Sequence, residues 1–278
     1  MKPNFLFIGP DKTGSSWLFE ILRRHPECFV PSCKDIYFFD RYYDRGMEWY
    51  SSFFAEASEE IRVVGELSHD YLFSPAAAHR IYQDLPGVRI MTCLRNPVER
   101  TFSHYLYLIR SGRTRQSFED ALDAFPELVN NSLYYKHLSK YVRLFERSRI
   151  KVLFFNDLRS DPEAFARDVF AFLGISFVEG INYYSIVRPA SRPRVFFLAR
   201  MAKHGADIAR NLGLTELVGI IKHSPLANIL YKPYEKHDRP AMSSSSREKL
   251  KGIFHDDIRH LQDMLGVDLA HWLREAKE

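Results

Sequence analysis

The sequence predicts an α/β fold: a parallel sheet covered by helices on both faces, followed by a helical region towards the C-terminus. Three observations lead there. Four short runs rich in β-branched and aromatic residues (Asn4 to Gly9, Arg62 to Gly65, Val88 to Leu94 and Ile150 to Phe155) lack strict alternation, the pattern of strands buried on both faces. Helical periodicity fills the intervals between them, which implies parallel βαβ units. A turn bounded by Gly9 and Gly14 joins the first strand to the first helix, at the carboxyl edge where such sheets hold ligands.

Each element has its own signal. After the first strand, a helix is expected over Ser15 to Arg24, with Trp17, Leu18, Ile21 and Leu22 on one face. The second strand precedes a helix over Pro75 to Asp84, opened by a first-turn proline. Helices over Val98 to Arg110, Tyr134 to Glu146 and Pro162 to Leu173 follow, the last stopped by Gly174. Ser243 to Leu265 reads as one long helix with a serine-rich start.

Composition sets the broad class. With 278 residues, 46% hydrophobic and 27% charged, the chain has ample material for one large core, and it is neither disordered nor fibrous. The longest apolar runs fall far short of the ~20 residues of a membrane-spanning helix. No secretory leader is recognisable at the start, which gives the expectation of a cytoplasmic protein. Cys28, Cys33 and Cys93 show neither a disulfide framework nor metal-ligand spacing, so reduced thiols and no metal are expected. The net charge is +4 overall, yet Arg188 to Arg239 carries ten basic residues against four acidic, a net of +6. A basic segment on a nearly neutral body points to an anionic partner held in one place: a charged cofactor, an acidic acceptor or a lipid surface.

The turn Gly9-Pro-Asp-Lys12-Thr13-Gly14-Ser15-Ser16-Trp17 delivers backbone N–H groups and a helix N-terminus to one spot, the arrangement of a phosphate-binding loop. The fold expected is therefore P-loop-like. The loop differs from the GxxxxGK[ST] pattern of kinases and NTPases, because Ser15 stands where that lysine belongs and the only lysine is Lys12. A second anion-binding pattern follows the third strand: Arg95 at the strand end and Ser103 eight residues on.

These two patterns resemble the phosphate motifs of the sulfotransferases that use 3′-phosphoadenosine 5′-phosphosulfate (PAPS). Cys33-Lys-Asp-Ile-Tyr-Phe-Phe-Asp40, continuing to Gly46-Met-Glu-Trp-Tyr50, resembles the KE-x-x-FFD…G-x-x-WY stretch of the heparan-sulfate type, and Gly65-Glu-Leu-Ser-His-Asp-Tyr71 resembles its EK[ST]-x-x-Y stretch. Asn156 to Pro162 and Phe172 to Gly174 match the shared ending of the catalytic core. The resemblance covers residues 1 to about 178 and, more loosely, 240 to 272. It implies a single sulfotransferase domain: a nucleotide-binding core over 1–178, a basic helical insertion or lid over 179–240, and a C-terminal helix over 241–278. It further implies that Lys12, Thr13, Gly14, Ser15 and Ser16 bind the 5′-phosphosulfate, that Arg95 and Ser103 bind the 3′-phosphate, and that Lys236 and Arg239 belong to a basic closing loop. Trp17 is either an adenine contact or a core residue.

Sulfuryl transfer needs a base for the acceptor proton and positive charge at the leaving phosphate. Lys12 supplies the charge. For the base, Asp35 ranks first because it matches the relatives' glutamate, Glu66 second as a strand-end carboxylate, and His69 third for its near-neutral pKa. The sequence departs from the heparan pattern at Tyr37 and Leu67, where relatives carry histidine and lysine. The expected acceptor is a hydroxyl of a small molecule, natural product, glycan or glycolipid. The segment Val195 to Tyr231, which mixes apolar and basic residues, is either a pair of helices packed on the core or a lid touching membrane or a lipid-linked acceptor. Two competing classes stay open at this point: a kinase or NTPase, and a basic module binding nucleic acid or membrane, of which nucleic acid is not expected.

Overall fold

The computed structural model describes residues 1–185, 191–223, 230–235 and 238–274. The chain divides into two compact units, Met1–Arg95 with Lys140–Arg188, and Asn96–Ser139 with Pro189–Glu278. These divisions differ from the boundaries at 178 and 240 that the sequence motifs marked out.

The first unit holds a five-stranded sheet in which every neighbouring pair is parallel. Its strands are β1 (Phe5–Phe7), β2 (Cys28–Phe29), β3 (Val63–Leu67), β4 (Arg89–Leu94) and β5 (Ile150–Phe154), in the order β2-β3-β1-β4-β5. The continuous apolar character of β1 has the expected cause: Phe5, Leu6 and Phe7 are fully buried, with residues of β3 and β4 beside them in register. β2 was not foreseen, because two residues are too few to leave a periodic signal. β3 also runs two residues further than expected, which places Glu66 within the strand rather than beyond it.

Helix α1 (Ser15–Arg23) buries Trp17, Leu18, Phe19, Ile21 and Leu22 in a cluster that also takes in Phe5, Phe7, Phe165, Val169 and Phe170. A fully buried side chain of this size contributes about 1.5–3 kcal/mol. Pro162–Leu173 begins as its sequence says. The Asp161 carboxylate accepts hydrogen bonds from the backbone N–H groups of Glu163 and Ala164, and Gly174 ends the helix in the left-handed conformation.

In the second unit, the helix Pro97–Arg110 is capped by Asn96, whose side-chain oxygen accepts from the Val98 N–H at 3.0 Å. The last helix, Ser244–Leu265, buries Leu250, Phe254, Ile258 and Leu261 along one stripe. Its Arg247 pairs with Glu99 at 2.7 Å, and its Asp257 carboxylate accepts from the N–H groups of Tyr135 and Lys136. Arg100 is fully buried and donates to Ser132 Oγ at 3.0 Å. Two helices unlike these, Phe196–Asn211 and Thr215–His223, lie between the short antiparallel strands Ser191–Pro193 and Tyr231–Pro233. Among the described residues, no helix is long and apolar enough to cross a membrane.

Candidate active site

The turn from β1 to α1 is shaped for an anion. Lys12 (φ 66°) and Gly14 (φ 92°) both adopt left-handed backbone, and Thr13 Oγ1 donates to the Pro10 carbonyl at 2.8 Å inside the turn. Gly14 caps α1 with no side-chain hydrogen bond, and the first turn of the helix carries no acidic residue. Its first N–H groups therefore meet no competing carboxylate from their own turn. Lys34 donates from Nζ to Ser15 Oγ at 2.9 Å, which brings a second lysine to the loop. Arg95, at the end of β4, donates from Nη1 to the Lys12 carbonyl at 3.4 Å, and its guanidinium carbon lies 5.0 Å from the centre of the Phe155 ring. The structure thus gathers Lys12, Ser15, Lys34 and Arg95 around one turn.

Beside this turn sits a histidine–carboxylate pair. His69 Nδ1 lies 2.6 Å from Asp35 Oδ1, with the Asp35 side chain almost fully buried and His69 22% exposed. On the far side of the ring, Nε2 lies 3.3 Å from both the Tyr37 hydroxyl and Asp70 Oδ1. Burial works against the charged imidazole, but the charges of Asp35 and Asp70 and the hydrogen bond to Asp35 outweigh it, so the His69 pKa is raised above 6.5. The pair is fixed to the loop by backbone: a Cβ added at Gly9 would stand 2.1 Å from the His69 carbonyl oxygen. Asp35 and Tyr37 both have positive φ (65° and 59°), and the Asp35 N–H donates to the Leu67 carbonyl at 2.9 Å. Asp70 in turn accepts a short hydrogen bond from Arg41, whose guanidinium lies 4.0 Å from the Tyr37 ring centre.

Glu66 lies beneath this arrangement. Tyr50 donates to its Oε2 at 2.5 Å, while Ser68 and Tyr71 donate to Oε1 at 2.5 and 2.7 Å. The carboxyl is 1% exposed, and burial raises its pKa to about 7 against the lowering effect of the three hydroxyls. Ser68 Oγ also accepts from the Tyr37 N–H at 3.2 Å, so Glu66 supports the backbone that carries Tyr37. Asp40 is a further buried carboxyl that sequence reasoning did not single out: burial raises its pKa to about 7 while neighbouring Arg41 opposes the shift.

The family model for the sulfotransferase domain matches residues 2–188. The chain belongs to that family. Over 110 residues it is 36% identical to the membrane-associated sulfotransferase kil1 of Dictyostelium discoideum, a match covering 39% of this chain and 23% of that protein. Over 297 residues it is 28% identical to the bifunctional heparan sulfate N-deacetylase/N-sulfotransferase 1 of Mus musculus, covering 98% of this chain and 31% of the relative. The chain therefore spans a third or less of the length of these curated relatives. A solved sulfotransferase from Alicyclobacillus acidocaldarius shares the fold with a TM-score of 0.72 and 25% identity, covering 99% of this chain and 100% of that one.

In this sulfotransferase domain, the remaining residues expected at the site fall as follows. Trp17 is 7% exposed, donates from its indole N–H to the Tyr183 carbonyl at 2.8 Å and packs edge-on against Phe165. It packs as a core residue of α1, one of the two places the sequence offered for it: a buried indole needs an acceptor, and the chain itself supplies one. Ser16 is half-buried on the first turn of α1, and Ser103 is half-buried on Pro97–Arg110 in the second unit. Arg239 is exposed in that unit, and Lys236 lies outside the described residues. Lys34 was missed as a loop ligand, although its place directly before Asp35 in the KE-like motif was a usable signal. Among the described residues, no cluster of histidine, cysteine or acidic side chains has the form of a metal site.

Proposed function

We propose that the chain transfers a sulfuryl group from PAPS to a hydroxyl of a small molecule, glycan or glycolipid. The observation that carries this reading is the packing of an anion-binding turn directly against a His69–Asp35 pair. The residues present fit the nucleotide. The uncapped start of α1, with Lys12, Ser15, Ser16 and Lys34, suits the 5′-phosphosulfate, and Arg95 suits the 3′-phosphate. Thr13 and Gly14 shape the turn, while Ser103, Lys236 and Arg239 join this reading through the sequence resemblance alone.

When bound, PAPS supplies a sulfuryl group whose bond to the 5′-phosphate breaks as the acceptor oxygen attacks. Asp35 fixes the ring of His69 by holding Nδ1–H, which leaves the lone pair of Nε2 to take the acceptor's proton. Asp70, 3.3 Å from Nε2, then faces the imidazolium that forms. Lys12 places positive charge where the leaving phosphate becomes more negative. His69 thus moves from third to first among the candidate bases, Asp35 becomes its orienting partner, and Glu66 takes a supporting role beneath Tyr37. A cytoplasmic setting belongs to the same proposal; the three cysteines are buried.

Calorimetry and turnover test this assignment together. Arg95→Ala should weaken binding of adenosine 3′,5′-bisphosphate about ten- to a hundred-fold, through loss of a charge-assisted contact of ~1.5–3 kcal/mol. Binding of adenosine 5′-phosphate, which lacks the 3′ group, should change little. With labelled donor and a panel of hydroxyl acceptors, His69→Gln should lower turnover about 10²-fold or more with bisphosphate binding intact. Full turnover in His69→Gln, with loss in Glu66→Gln, would return the base to the strand carboxylate.

A further inference from the structure

We infer that the helices Phe196–Asn211 and Thr215–His223 form a docking surface for an anionic lipid bilayer. This inference is independent of sulfuryl transfer. Nine of the thirteen large hydrophobic residues that are exposed among the described residues lie between Val195 and Ile221. They are not scattered. At 100° per residue, Phe197, Met201, Ile208 and Leu212 fall within about 60° of arc, with Leu198 at its edge. Their exposures run from 46% for Ile208 to 71% for Leu212. Ala199 and Arg210, the residues this helix buries, lie on the opposite side.

The helix therefore turns its small and charged side towards the protein and its apolar stripe outwards, the reverse of a helix packed on a core. The next helix repeats the inversion. Leu214, Leu217 and Ile221, at spacings of three and four, are 48–50% exposed, whereas Thr215 and Val218 are buried. The expectation that this segment simply packs its apolar residues on the core does not hold for either stripe.

Charge identifies the occupant. Arg194 and Arg200 are exposed beside the first stripe, within a stretch, Arg188 to Arg239, whose sequence carries a net of +6; of its other basic residues Arg210 is buried, and Arg192 and Lys203 pair with Asp238 and Asp207. A second copy of the chain would set two surfaces of the same sign against each other. An anionic bilayer instead offers hydrocarbon for the stripe and negative headgroups for the cations, the combination that holds interfacial helices. Basic side chains near such a surface act within a Debye length, so binding should weaken with salt.

The test is co-sedimentation of the full chain with vesicles of phosphatidylcholine containing about a quarter phosphatidylglycerol, beside pure phosphatidylcholine vesicles. The wild-type chain should pellet with the anionic vesicles and far less with the neutral ones. Replacing Phe197 and Met201 together by glutamate should lower the bound fraction about tenfold or more, with adenosine 3′,5′-bisphosphate binding unchanged. Arg194→Glu with Arg200→Glu gives a second variant that leaves the apolar stripe intact, and it should weaken binding in the same direction. Wild-type chain left in the supernatant, or variants that bind the anionic vesicles as well as the wild type does, would overturn the proposal. So would a wild-type dimer that the Phe197 and Met201 substitutions dissolve, which would assign the surface to a second copy. Loss of bisphosphate binding in the wild-type chain would instead bear on the proposed function and leave the vesicle result standing.

Discussion

At the level of single residues, the site turns on how one imidazole is flanked. Asp35 on Nδ1 and Asp70 near Nε2 raise the His69 pKa above 6.5. With His69 as the proposed base, which must be unprotonated to act, kcat/KM should climb with pH and level off only above a midpoint higher than that of an ordinary histidine. Asp35→Asn removes the strongest of the raising charges and should move the midpoint down, which a pH–rate profile reads directly. The linkage to stability has the matching sign. Because the folded-state pKa is raised, the stabilisation from this pair is complete below the unfolded value near 6.5 and is lost as pH rises through the folded value. The sequence offered all three base candidates but could not order them. Asp35 and His69 are 34 residues apart, and what joins them is a left-handed backbone at Asp35 and a neighbouring strand end, neither written in spacing.

Among the elements, the β1–α1 turn was the most legible and the outward helices the least. The glycines of the turn advertise backbone that other residues resist, and Gly9 has a second reason besides its φ of 115°. A methyl group there would press on the His69 carbonyl. Gly9→Ala should therefore destabilise the protein by about 1–3 kcal/mol and also depress turnover, because relief of the clash displaces His69, the base proposed above. Urea unfolding and activity measured on the same preparation would show both effects. The strand β3 was found but cut short, since Glu66 looked like the end of an apolar run. Its charge is accommodated inside the strand by Tyr50, Ser68 and Tyr71, and none of the three can be paired with it from periodicity. For Phe196–Asn211, the apolar period was visible in the sequence. Whether the stripe faces in or out depends on what the rest of the chain places against it.

Over the whole molecule, the α/β class follows from alternating strand and helix patterns, while the division into units does not. The long C-terminal helix anchors the second unit through Leu250, Phe254, Ile258 and Leu261. Phe254→Ala should cost about 3–5 kcal/mol, seen as a lower urea midpoint. The path of the chain adds a constraint of a different kind. It leaves the first unit after Arg95, returns at Lys140 and departs again after Arg188, so each unit is assembled from two separated stretches. The family match ends at that last crossing, residue 188. A fragment cut there would look complete to anyone reading motifs, since it keeps the loop, the histidine pair and Arg95. It would also carry residues 96–139 without the C-terminal stretch that supplies Arg247 for Glu99 and Asp257 for the start of Tyr134–Leu144. The end of the family match is thus a poor place to truncate the chain, because the stretch beyond it holds residues 96–139 within their unit.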